Sequence, residues 1–253
     1  MCELFGVSGE IKIRVNGYLE TFFKRSIEHH NGWGLALLDN GLISVEREPV
    51  RAVDSLYLKN RLTETIETAA CIAHIRKATI GDVSFTNTHP FVLNDSSGRK
   101  WILVHNGTIF DSPELKPYLY QQSGTTDSER ILYYIVDSVN KSGFNVSDNE
   151  RFDMISGLIH KITPGNKVNF LLYDGENMYV HKNEKGTLFS RLDKGAAIFA
   201  TNPLDDSVWN EIPQNTLLVY RKGKIIYKGN PHNNTYVHDE EKMRLIYMDH
   251  AML

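Results

Sequence analysis

Alternating and continuously apolar runs, the patterns of half-buried and fully buried strands, dominate much of the chain. Such runs cover residues 4–8, 34–38, 42–47, 70–75 and 101–105, and then 167–173, 178–182, 197–201, 216–221 and 224–228. Asp174-Gly175 and Arg221-Lys222-Gly223-Lys224 separate adjacent runs and predict hairpins between antiparallel neighbours. Helical spacing takes over in residues 17–29, where Leu19, Phe22, Phe23 and Ile27 form one face. It recurs in residues 128–140 through Ile131, Leu132, Ile135, Val136 and Val139, and in residues 152–160, which Thr163-Pro164-Gly165 brings to a stop. Residues 238–253 place Met243, Leu245, Ile246 and Tyr247 among charges, which reads as a short helix docked on the rest of the chain. No internal repeat and no Pro/Gly/Ser-rich linker interrupts these patterns. They predict one domain over residues 1–253, of α+β type, with helices covering a mostly antiparallel sheet system.

Composition then narrows the function classes. Among 253 residues, 28 Lys and Arg face 31 Asp and Glu, a formal charge of -3, so nothing biases the chain toward nucleic acid or an anionic membrane. No stretch approaches the ~20 apolar residues of a membrane helix. Met1-Cys2-Glu3-Leu4-Phe5-Gly6 lacks the basic and apolar regions of a signal peptide, so a cytoplasmic protein is expected. Cys2 and Cys71 lie too far apart in sequence to suggest a disulfide scaffold, and the ten histidines lack metal-ligand spacing. Glycine-rich nucleotide motifs are absent too, so neither metal nor cofactor is expected. Glycosylation sequons at Asn106, Asn145 and Asn233 are read as unmodified.

Cys2 changes the picture most. If Met1 is removed, Cys2 carries a free α-amine beside its own thiol, and these titrate at about 7.7–8.0 and about 8.5. Such an amine can act as general base, directly or through water, without a histidine. Position 2 could equally hold an inert thiol. Three later segments bear on the choice. Residues 73–81, Ala-His-Ile-Arg-Lys-Ala-Thr-Ile-Gly, end a strand with Arg76, a planar fork suited to a carboxylate. Residues 101–108 end another with Asn106-Gly107, a side-chain amide followed by a glycine N–H, which together can serve one oxyanion. Thr125-Thr126-Asp127-Ser128-Glu129 opens a helix with a carboxylate near its N-terminus. Taken singly, these read as a surface ion pair, a turn and a helix cap.

Taken together with Cys2 they resemble the class II glutamine amidotransferases, whose glutaminase domains are N-terminal-nucleophile hydrolases. The chain is most similar to the stand-alone type that begins Met-Cys-Glu-Leu-Phe-Gly. The matching motifs, in family order over roughly the first 130 residues, are Met1–Gly6, Gly32-Trp33-Gly34, Ala73–Thr79, Asn87-Thr88-His89-Pro90-Phe91, His105-Asn106-Gly107-Thr108 and Thr126-Asp127-Ser128-Glu129. The resemblance implies a four-layer α/β/β/α sandwich of two mostly antiparallel sheets. It implies that Cys2 attacks glutamine to form a glutamyl thioester, with Asn106 and Gly107 as the oxyanion hole. Arg76 would hold the substrate α-carboxylate and Asp127 its α-ammonium, while Thr79 and His89 would line the glutamine pocket. Two positions depart from the pattern. Lys77 stands where phosphosugar- and phosphoribosyl-dependent relatives carry an aromatic residue, and Asn31 stands where close relatives carry aspartate.

The leading expectation is therefore an amidohydrolase that releases ammonia from glutamine. A γ-glutamyl peptide or conjugate is the alternative substrate, and a catalytically silent, ligand-binding regulatory subunit the alternative class. With essentially all of the chain glutaminase-like, ammonia would pass to a separate acceptor protein, or hydrolysis itself would be the function. Nucleic acid and membrane are not expected partners.

Overall fold

Two antiparallel sheets stack face to face, and helices lie against the outer face of each. The computed structural model describes residues 2–39 and 42–251, with side chains of the last helix as far as residue 246. In chain order the strands are β1 (Glu3–Arg14), β2 (Trp33–Asp39), β3 (Leu42–Glu48), β4 (Glu67–Ile75), β5 (Phe91–Asn94), β6 (Lys100–Thr108) and β7 (Lys167–Tyr173). There follow β8 (Met178–His181), β9 (Phe189–Asp193), β10 (Ala196–Ala200), β11 (Asn210–Glu211), β12 (Leu218–Arg221) and β13 (Lys224–Lys228). The α-helices are α1 (Asn16–Lys24), α2 (Leu56–Thr63), α3 (Asp127–Ser142), α4 (Asp148–Ile162) and α5 (Glu240–Ala251). One sheet runs β11-β9-β10-β1-β4-β2-β3 and the other β13-β12-β8-β7-β6-β5.

The strand period sorts side chains into three cores. Leu4, Ile72, Val104, Leu171, Val180 and Phe199 meet between the sheets. Their neighbours in sequence point outward: Phe5, Cys71 and Ala73 pack with Leu19 and Phe22 of α1 and Leu58 of α2. On the opposite outer face, Leu103, Phe170 and Leu172 pack with Ile131, Leu132 and Ile135 of α3 and Ile155 of α4. Each sheet is thus buried on both faces, and the expected α/β/β/α sandwich is what forms. Both expected hairpins occur, β7 to β8 at Asp174-Gly175 and β12 to β13 around Lys222-Gly223. Helix starts follow local chemistry. Ser55 accepts from the Leu58 N–H, Thr126 from that of Glu129, and Ser147 with Glu150 forms a capping box.

The structure adds elements that the patterning missed. Strands β5, β9 and β11 have four, five and two residues, and α2 buries only Leu58. The last helix forms as expected, although the side chain of Tyr247 lies outside the described residues. Asn106-Gly107 requires a correction. These residues do not end a strand; they lie inside β6, where Asn106 pairs with Asn169 and Gly107 with Val168 of β7.

Candidate active site

Register brings the site together. Glu3 pairs with Ile75, so Cys2 lies beside the chain leaving β4, and its sulfur is 3.4 Å from both the N and the O of Lys77. Across the sandwich, β6 presents Asn106, Gly107 and Thr108. With Cys2, Lys77, Thr79 and Lys167 they line a cavity of about 20 Å³, closed on another side by Tyr236, His238 and Met243. That is room for about one water molecule.

The expected site residues fall as follows. Thr79 lines the cavity, its hydroxyl 3.3 Å from that of Thr108. Asn106 is buried, and its Nδ2 has no hydrogen-bond partner among the described residues. Gly107 is fixed sterically, since a Cβ there would lie 2.0 Å from the Lys167 carbonyl and 2.2 Å from His105 Nε2. Arg76 is buried and donates to the carbonyls of Ile80, Gly81 and Asp82, so three bonds of its five-donor fork shape the loop after β4. Asp127 is the first residue of α3 rather than its cap, a role Thr126 takes. One Asp127 oxygen accepts from the Ile109 N–H at 2.7 Å, just past β6, and the other from Ser128.

Arg76, Asp127 and His89 are not among the residues lining this cavity. His89 is buried, its ring 4.1 Å from that of His74 in β4 and 4.4 Å from that of Phe91 in β5. Its carbonyl abuts Gly34, where a Cβ would stand 2.0 Å away. The rest of that motif acts as a staple. Asn87 donates to Asp82 O and Thr125 Oγ1 and accepts from the Thr125 N–H, tying the loop after β4 to the start of α3. Asn31 accepts from the Ala78 N–H at 3.0 Å, a bond its amide makes without an aspartate's charge.

Burial pushes the Cys2 thiol above its ordinary pKa, against the pull of the Lys77 N–H and the Arg76 and Lys167 cations. The thiol therefore keeps its proton at neutral pH until a base takes it. Burial lowers the pKa of Arg76, with Cys2, Asp127 and Asp82 acting in the opposite sense. Burial also holds His74 down to about 3 and His89 well below its ordinary value, so both rings are neutral at neutral pH.

Residues 1–194 match the model of the glutamine amidotransferases class-II family. The chain belongs to the class II glutamine amidotransferases. The family's reaction is hydrolysis of the glutamine amide with transfer of ammonia. An uncharacterised protein of Methanocaldococcus jannaschii is 30% identical over 256 residues, covering 90% of this amidotransferase and 72% of the relative. The glutamine–fructose-6-phosphate aminotransferase of Chlamydia trachomatis is 37% identical over 136 residues, which span 52% of this chain but 21% of that one. Among solved structures, a predicted glutamine amidotransferase from Pseudomonas aeruginosa superposes with a TM-score of 0.63 at 19% identity. It covers 89% of this chain and 100% of the neighbour. The glutamine phosphoribosylpyrophosphate amidotransferase of B. subtilis gives 0.69 at 16% identity, over 92% of this chain and 50% of that enzyme. At those identities the structures speak for the fold.

Sequence reasoning gave the lining residues Lys77 and Thr108 no role and missed four more in this amidotransferase: Lys167, Tyr236, His238 and Met243. Lys167 carried a signal, a charge at the start of an otherwise apolar run. The other three lie far along the chain and outside the residues matched by the family model. Among the described residues, no helix is long and apolar enough to cross a membrane, and no group of three or more His, Cys, Asp or Glu could hold a metal ion.

Proposed function

We propose that this chain releases ammonia from the side-chain amide of glutamine, with Cys2 as the nucleophile. Once Met1 is removed, the Cys2 α-amine takes the thiol proton and sulfur bonds to the γ-carboxamide carbon. Asn106 Nδ2 and the Gly107 N–H stabilise the oxyanion. Collapse breaks the C–N bond, and the leaving nitrogen takes that proton and departs as ammonia, leaving a γ-glutamyl thioester. The same amine then deprotonates water, whose oxygen attacks the thioester carbon. The C–S bond breaks, glutamate leaves, and the proton returns to sulfur. Arg76 and Asp127 would hold the substrate α-carboxylate and α-ammonium.

The observation that carries this reading is Asn106 Nδ2, a buried amide donor without a partner, in the same cavity as a half-buried thiol. Leaving such a donor unsatisfied is costly unless a ligand completes it. The test combines an ammonia-release assay with a glutamine analogue bearing an electrophile at the γ position. Wild type should turn over glutamine and take the label at Cys2, and Cys2→Ala should do neither while remaining folded. Cys71 should stay unlabelled because it is buried and its thiol is pushed up. Labelling at Cys71, or turnover by Cys2→Ala, would overturn the reading. A preparation that retains Met1, checked by intact mass, should be inactive.

A further inference from the structure

Lys167 is a lysine almost wholly removed from water, at 3% exposure. Long cations are rarely buried to that degree without a partner, and Lys167 Nζ lies 2.6 Å from Glu184 Oε2. Its place in the fold is specific. It opens β7 opposite Thr108, so the two strands that meet here carry Asn106, Gly107 and Thr108 on one side and the lysine on the other. The Lys167 carbonyl packs where a Gly107 side chain would be and lies 3.2 Å from His105 Nε2, which locks its backbone to β6. The lysine and the Cys2 thiol line the same small cavity.

Other charged groups surround the sulfur among the described residues. Arg76 and Lys77 approach from the chain leaving β4, while the Asp127 carboxylate is taken up by the Ile109 and Ser128 N–H groups. Glu3 follows Cys2 in the chain, Glu184 lies behind Lys167, and His238 is on the covering segment. Lys77 is exposed, so solvent screens it. Arg76 is committed to three loop carbonyls and interacts with both Asp127 and Asp82. Lys167 is the buried ammonium on the oxyanion-strand side of the cavity, where a charge acts through little water.

We propose that Lys167, clamped by Glu184, is a positioning residue whose fixed positive charge favours the Cys2 thiolate and the oxyanion that follows it. The proposal rests on Cys2 being the nucleophile. Lys167 makes and breaks no bond. It acts through its field, from a position set by strand pairing and by its carboxylate partner. Burial raises the Cys2 thiol pKa and Lys167 opposes that rise, while Cys2 in turn opposes the lowering of the Lys167 pKa.

The experiment measures the pH dependence of Cys2 alkylation by iodoacetamide on the full chain, with the modified residue assigned by mass and Cys71 as internal control. Lys167→Met should move the midpoint up by roughly 0.5–1 pH unit, and Lys167→Arg should leave it near wild type. Glutamine turnover by Lys167→Met should lose about tenfold in kcat with a smaller change in KM. If that variant fails to fold, the double variant Lys167→Gln with Glu184→Gln leaves no unpaired buried carboxylate and should still move the midpoint up. A lysine that only fills space would lower Tm on replacement and leave the alkylation midpoint unchanged, and that result would overturn the proposal. Alkylation needs no substrate. A midpoint shift in a protein that ignores glutamine would therefore keep the charge assignment and discard the glutaminase reading.

Discussion

The wall of the Cys2 cavity formed by β6 and by the loop after β4, which Asn87 ties to the start of α3, is held at polar group after polar group, whereas among the described residues the wall formed by residues 236–246 is held by a few contacts. On the first side Arg76 bonds three loop carbonyls, Asn87 joins two loops, and Asp127 holds the backbone beyond β6. On the second, the Tyr236 N–H donates to Asn183 O at 2.8 Å and the ring stacks on Phe110 at 6.1 Å. Lys242 Nζ lies 6.0 Å from the centroid of the Phe110 ring, Asp239 caps the Glu241 and Lys242 N–H groups, and Val237 and Leu245 are exposed. The difference separates two tasks. On the proposed reading, groups that would meet a transition state are preorganised, and the covering segment is held by fewer bonds.

The contrast can be broken most severely at Gly107. A Cβ there would overlap backbone and ring atoms that have nowhere to move, so Gly107→Ala should cost at least about 3 kcal/mol and yield little folded protein. Denaturant titration of whatever is soluble reads this directly. Asn106→Ala should leave the fold intact and lower kcat by roughly 10²–10³ with KM little changed. A loss confined to KM would remove Asn106 from the oxyanion role. Deletion of residues 240–251 should touch only the loosely held wall. It should shift Tm by no more than about 2 °C and speed Cys2 alkylation by a bulky maleimide about tenfold. Unchanged alkylation would mean that Met243 does not guard the thiol.

Acid tests the buried core behind both walls rather than either wall alone. His74 and His181 are held down to about 3 by burial, so below pH 6.5 the unfolded chain binds protons that the folded chain refuses. Stability should be full above about pH 6.5 and fall as pH drops toward 4, by up to about 1.4 kcal/mol per pH unit for each such ring. Thermal melts of wild type and His74→Gln between pH 7 and 4 check the sign, the variant showing the shallower slope.

The long strands and the apolar faces of α1, α3 and α4 were legible because they bury stripes against a core, but the first helix was read too long: α1 stops at Lys24, and Ile27, expected on its apolar face, is exposed. Residues 167–173 match the buried β7 end to end, and 224–228 match β13, which is mostly exposed. Strand β9 was missed because Phe-Ser-Arg-Leu-Asp alternates weakly and is only half-buried, and α2 because a single leucine is buried. Asn106-Gly107 read as a turn because that dipeptide usually is one. Here the missing Cβ serves the packing of two strands. The positions of Cys2, Thr79, Asn106 and Gly107 around one cavity were legible as ordered motifs, whereas Arg76, Asp127 and His89 lie outside its lining. Lys167 enters through strand register, with a charge opening the β7 run as its one local trace, and Tyr236 enters from far along the chain, held by a stacking contact that leaves no local pattern.

The Arg76 fork has a practical consequence for studying recognition. Because the same guanidinium shapes the loop that carries Thr79, replacing it changes the architecture together with any grip on a ligand. The informative edit is on the small molecule. Glutamine stripped of its α-carboxylate, compared with glutamine stripped of its α-amine, asks the question while leaving the protein whole. A synthetic chemist can therefore dissect this clamp more cleanly than a mutagenesis scan can.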